Sequence, residues 1–151
     1  MTTRVVQLAR TVFRDAIDYS KVRIHKRKWW WFQPRRITMA PDGHLWFHPD
    51  NDLFCDDFCD RDLGLQGLFI HELVHVWQHQ KGIFLLLRRY PFSSYNYTLK
   101  PGWMLERYGI EQQAEIVRHY FLLKNKAKVP GAPSLEQYEG VLPFGKRVTA
   151  K

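Results

Sequence analysis

The chain has 151 residues, 45% of them hydrophobic, and a formal net charge of +8, which suits one domain with a modest core. It contains no apolar run of about eighteen residues, so a membrane-spanning helix is excluded. No nucleic-acid fold signature accompanies the basic charge, which sets nucleic acid aside as the expected partner.

Residues 1–20 place Val5, Leu8, Val12, Phe13 and Ile17 at helical spacing among Arg4, Arg10, Arg14, Asp15 and Asp18. This predicts an amphipathic helix, and the segment lacks the apolar stretch of a signal peptide. Synthesis in the cytoplasm is expected, with any export by a route that reads no such signal. The positive charge is then concentrated in Lys21-Val22-Arg23-Ile24-His25-Lys26-Arg27-Lys28, which runs into Trp29-Trp30-Trp31-Phe32 and Arg35-Arg36. Basic residues interleaved with aromatics can grip nucleic acid, anionic lipid or an anionic wall polymer. The plainer expectation is a strand whose Trp side chains enter the core while the cations stay solvated.

A hairpin is predicted over Ile37-Thr38-Met39-Ala40 and His44-Leu45-Trp46-Phe47-His48, with Pro41-Asp42-Gly43 as its turn. Placed at the edge of a cleft, such a hairpin could accept an extended peptide as a further strand. Cys55 and Cys59 follow as C-x3-C among acidic neighbours. They make no recognised zinc knuckle and suit a loop disulfide and two free thiols equally.

From Leu63, the positions Leu65, Leu68, Phe69, Leu73, Val76 and Trp77 predict a helix capped by Asp60 or Asp62 and stopped near Gly82. Within it, Phe69-Ile70-His71-Glu72-Leu73-Val74-His75-Val76-Trp77-Gln78 contains a complete H-E-x-x-H. At i and i+4, His71 and His75 share one face and can bind one zinc ion, with Glu72 beside them as a proton acceptor. His71, His75 and His79 span too much of the helix to converge on one tetrahedral ion, so His79 is read as substrate-facing or as a solvated surface residue. Gln78 and Lys81 stand where the metzincin extension requires Gly and His, which excludes that class.

Residues 83–103 read as an irregular, Tyr-rich connection beside a substrate pocket. A second helix is predicted from Ile110 to about Lys126, with Ile110, Ala114, Val117 and Phe121 as its apolar seam. Glu111 and Glu115 are again i, i+4, and two carboxylates so close call for a cation or hydrogen-bond donors. The economical assignment makes Glu111 the third zinc ligand and Glu115 the acceptor for the other N–H of His71 or His75, with Glu106 and Glu115 as alternative ligands. Small Ala114 would let the two helices approach closely. After Val129-Pro130-Gly131-Ala132-Pro133, an extended segment of about 127–151 is expected.

His71-Glu72-Leu73-Val74-His75 followed by Glu111-Gln112-Gln113-Ala114-Glu115 resembles the gluzincin zinc peptidases, which combine H-E-x-x-H with a downstream E-x-x-x-D/N/E. Glu115 departs from the commoner Asp or Asn at the fifth position of the second motif. Over roughly residues 37–122 the two motifs are also similar to short bacterial Vgr-related or Rhs-associated metallopeptidases linked to type VI secretion. The resemblance implies a zinc hydrolase, a secreted toxin or cell-envelope enzyme, export by a contractile secretion system, and a Vgr- or Rhs-like carrier or an immunity protein as partner. It also implies a minimal zincin-like domain.

The expectation is therefore an α+β, mainly helical zincin-like fold over residues 1–151, with a small β-hairpin or sheet and two metal-ligand helices. Its activity would be zinc-dependent cleavage of peptide bonds, with Glu72 as general base. A Tyr or His from a loop would stabilise the oxyanion, from among Tyr90, Tyr95, Tyr97, Tyr108 and His79. Two rivals stand beside it: a peptidoglycan peptide or amide hydrolase with the same site, and a non-catalytic basic binding module.

Overall fold

A computed structural model describes residues 1–83 and 94–144. Helix α1 (Thr3–Phe13) starts where the Thr2 hydroxyl accepts a hydrogen bond from the Val5 amide at 3.3 Å. It stops earlier than the apolar spacing suggests, because Arg14 adopts φ 51° and ψ −118°. Ile17 still reaches the core, but through a turn rather than a further helical turn.

The sheet is minimal. Strand β1 (Ile24–His25) pairs in parallel with β2 (Leu45–Trp46), Ile24 opposite Leu45 and His25 opposite Trp46. The hairpin expected over residues 37–48 shrinks to one antiparallel bridge between Met39 and Trp46. Its turn does form: Gly43 sits at φ 81°, and Asp42 accepts hydrogen bonds from the His44 amide and the Trp46 indole. The strand expected to bury Trp29, Trp30 and Trp31 is absent. Those residues form a loop whose turns are held by buried Gln33, so only Ile24–His25 of the basic region is extended in the sheet.

Helix α2 (Leu63–Gln80) is the central element. Asp62 caps it by accepting from the Leu65 amide at 3.1 Å, and Gly82 at φ 80° lets the chain turn away just past its end. Every residue from Phe69 to Gln78 is buried, so the helix is covered on all sides rather than along one stripe. Phe69 stacks on Phe58 at 4.4 Å, and Trp77 meets Phe144 edge-on at 5.2 Å. Phe144 in turn touches Phe13, which joins both chain ends to one core.

Helix α3 (Ile110–Lys124) packs along α2. The two helices lie close at Gly67, where a side-chain carbon would lie 3.2 Å from Leu122 and 3.5 Å from Arg118. Ala114 is also fully buried. Helix α4 (Leu135–Val141) corrects the expectation of a merely extended segment after residue 127. Gln137 accepts from the Ser134 amide at its start, and Tyr138 and Val141 anchor it in the core. The result is an α+β fold, mainly helical, with a two-stranded parallel sheet. No helix among the described residues is long and apolar enough to cross a membrane.

Candidate metal centre

Packing of α2 on α3 brings one nitrogen each of His71 and His75 and one oxygen of Glu111 within 4.8 Å of one another, all three residues buried. Glu111 Oε2 lies 3.4 Å from His71 Nε2 and 3.2 Å from His75 Nε2. Glu72 is buried on the same helix, next to His71. Glu115, one turn beyond Glu111, faces the other side of the first imidazole, with Oε1 2.9 Å from His71 Nδ1.

The remaining nitrogens are oriented by their acceptors. A carboxylate only accepts, so His71 donates through Nδ1 to Glu115. The Gln78 amide donates through Nε2 to the Ile110 carbonyl at 3.0 Å and to Gln113 Oε1 at 2.9 Å. Its oxygen is thereby left for His75 Nδ1 at 2.9 Å, and that nitrogen also donates. Both Nε2 atoms consequently point towards Glu111. Gln113 extends the tie by donating to the Tyr108 carbonyl at 2.7 Å. Neither glutamine stood out in the sequence as part of the site. The only signal was two amide side chains near motif residues, which carries no information without the helix pairing.

The electrostatics favour positive charge in this cage. Burial alone would depress the His71 pKa, but hydrogen bonds to Glu111 and Glu115 overrule it and raise it to about 9. Burial acts to raise the Glu115 pKa, yet the His71 and Arg118 interactions hold it below the usual carboxylate range. Two imidazoles and one carboxylate are donors that suit zinc, and their spacing fits a common ion between them.

A polar chain leads away from the cage. Glu115 Oε2 lies 3.4 Å from His119 Nε2, and His119 Nδ1 is 2.5 Å from the Tyr97 hydroxyl. That hydroxyl also meets Tyr138 at 2.7 Å. Burial and the Tyr138 contact push the Tyr97 phenol well above its ordinary range, so it stays protonated. These side chains line a cavity of about 340 Å³ together with Tyr95 and Pro130. Tyr95 is half exposed, and its ring stacks towards His71 at 6.2 Å.

The other residues singled out lie elsewhere. His79 sits against Gly43 and lines a surface cavity with Asp18, Lys21 and His44. Tyr108 is buried and accepts from the Lys100 amide, while Glu106 pairs with Lys81 at the surface. Tyr90 lies outside the described residues. Cys55 and Cys59 are free thiols.

The fold and the site together define a small α+β protein with a candidate three-ligand metal centre clasped between two helices. No protein-family model matches the chain. Over 145 residues it is 42% identical to the type VI secretion system spike protein VgrG2b of Pseudomonas aeruginosa, covering 91% of this chain and 14% of that protein. The solved effector domain of Pseudomonas aeruginosa VgrG2b matches with a TM-score of 0.81 and 39% identity, covering 94% of this chain and 82% of that one. The chain belongs to the family of the VgrG2b effector domain. It spans only a small part of the length of the full spike protein.

Proposed function

We propose that the chain is a zinc-dependent hydrolase of peptide bonds, acting as a toxic effector of a type VI secretion system. The observation that carries the reading is the convergence of His71, His75 and Glu111, with Glu72 next to the first ligand. Kinship with an effector domain of a secretion spike supports delivery on a Vgr-like carrier. An immunity protein in the producing cell is the matching expected partner.

His71 and His75 would hold the ion through Nε2, because Glu115 and Gln78 occupy both Nδ1 atoms. Glu111 would supply the third ligand, and its charge lowers the cost of burying the cation. When bound, zinc supplies Lewis acidity that activates water and polarises a scissile carbonyl. Glu72 takes a proton as the bond to carbon forms, then returns it to the leaving amine. Among the described tyrosines, Tyr95 is the best placed to donate to a developing oxyanion, since its ring faces His71.

Metal analysis combined with digestion of casein, insulin chain and purified sacculi tests the proposal. The expected result is about one zinc per chain and peptide cleavage that falls by at least about 100-fold in Glu72→Gln with zinc retained. Full activity in that zinc-bound variant would overturn the mechanism. Cleavage of sacculi alone would move the substrate to the cell wall. Absence of zinc from protein prepared in zinc-containing medium would overturn the enzyme in favour of a binding module.

A further inference from the structure

The loop between β1 and the Met39 bridge keeps its largest side chains out of the core. Trp31 is 82% exposed, Phe32 51%, Ile37 45% and Trp30 44%. Large rings collected on one loop are unusual for a surface that meets only water. They pack on one another: Trp30 and Phe32 have centroids 4.0 Å apart, and Trp31 stands edge-on to Phe32 at 4.9 Å.

The loop is built rather than loose. Buried Gln33 accepts from the Trp29 amide at 2.8 Å and donates to the Ile37 carbonyl at 2.8 Å and the Trp46 carbonyl at 3.1 Å. One side chain thus fastens both arms of the loop to β2. In the chain these rings are flanked by Lys26, Arg27, Lys28, Arg35 and Arg36, all exposed, and residues 19–41 contain no Asp or Glu. Lys26 and Arg27 lie over the neighbouring Phe54 and Trp46 rings. Arg35 contacts Asp50 at 3.7 Å, while Lys28 reaches the Trp31 carbonyl at 3.4 Å.

We propose that this loop is a docking surface for anionic phospholipid bilayers, with Trp30, Trp31 and Phe32 entering the interface and the surrounding cations meeting the headgroups. Aromatic side chains favour the boundary between headgroup and acyl chain, and Lys and Arg near the surface are drawn to anionic lipid. A preformed tip reaches that boundary without the entropy loss of ordering a loop. Nucleic acid fits less well, since stacking needs successive open ring faces along a groove. Here Trp30 and Phe32 cover each other.

The test is co-sedimentation of the full chain with vesicles of about 30% phosphatidylglycerol in phosphatidylcholine, against pure phosphatidylcholine and against single-stranded and duplex oligonucleotides. Binding to the anionic vesicles should exceed binding to the neutral ones by about tenfold or more and weaken between about 0.1 M and 1 M salt. Bound protein should show a blue-shifted Trp emission that brominated lipid quenches. The double variant Trp31→Ser/Phe32→Ser should lose about tenfold in vesicle binding, with zinc content and circular dichroism unchanged. Both positions are exposed, so folding is not at issue. Equal binding by the double variant, no quenching by brominated lipid, or tighter binding to oligonucleotide than to vesicles would each overturn the proposal.

Discussion

At the scale of single residues, the candidate centre depends on groups that do not themselves face Glu111. Glu115 fixes which nitrogen of His71 carries the proton, and it is held in turn by Arg118 at 3.2 Å and by His119. Removing an acceptor of this kind typically costs about 10- to 100-fold in metal affinity. Glu115→Ala should therefore weaken zinc binding by about that factor in a chelator-competition titration, with little change in circular dichroism. Affinity equal to wild type would show that the contact does not orient the ligand. A second expectation concerns Cys59, whose thiol is pushed up to about 11 chiefly by burial and by its hydrogen bond to Asp57. Only the thiolate reacts, so at about pH 8 its alkylation should run roughly 100-fold slower than that of an ordinary thiol. Mass spectrometry of the alkylated peptide measures this directly. Rapid labelling would mean that burial and the Asp57 hydrogen bond do not control the group.

At the scale of elements, the helix pair decides whether ligands from distant parts of the chain can meet. Gly67 lies one turn before His71 on the face turned to α3, with Leu122 and Arg118 against it. Gly67→Leu would force those side chains aside and separate the helices. Overpacking of this kind costs about 1–3 kcal/mol, and here the same movement should also weaken zinc binding. Thermal unfolding with and without chelator tests both effects. Arg14 provides an opposite case. Its φ of 51° and ψ of −118° suit glycine far better than arginine. Arg14→Gly should raise stability by about 1 kcal/mol or leave it unchanged, and a clear loss in denaturant titration would refute the strain.

Those same elements show what a sequence carries locally and what it does not. His71, Glu72, His75, Glu111 and Glu115 stand out as candidates because two helices with i, i+4 pairs are local patterns, and the structure brings His71, His75 and Glu111 together. The capped start at Asp62 was legible for the same local reason. Gln78 and Gln113 were not, because their meaning arises only when α3 lies against α2. The parallel pairing of Ile24 with Leu45 is likewise non-local, whereas the Pro41-Asp42-Gly43 turn suggested that β2 would pair with its sequence neighbour. For the tryptophans, size and apolarity predict burial on average, whereas Gln33 ties this loop down with Trp30 and Trp31 outward.

At the scale of the whole molecule, a metal ion bound as proposed would compete with a proton for one buried cage, and that competition would couple stability to pH. In the metal-free protein His71 has its pKa raised from 6.5 to about 9 by Glu111 and Glu115, against the opposing effect of burial. A group whose folded pKa lies above its unfolded value contributes stability that is complete below about pH 6.5 and disappears as pH rises through about 9. At about 1.4 kcal/mol per unit, that contribution is roughly 3 kcal/mol. Zinc must displace the same proton, so its apparent affinity should climb by up to about tenfold per pH unit across this window. The two trends have opposite signs. Chelated protein should lose melting temperature between about pH 6.5 and 9, while zinc-loaded protein should hold it, because a divalent cation then balances the carboxylates in place of the proton. The gap between the two melting curves should widen steadily with pH. Chelated protein should nevertheless remain folded at neutral pH, since the aromatic core of Phe13, Phe58, Phe69, Trp77 and Phe144 closes without any contribution from the cage. A melting-temperature gap that stays constant over that range would show that His71 is not the group exchanged for the ion, and unfolding of the chelated protein at neutral pH would make the metal structural as well.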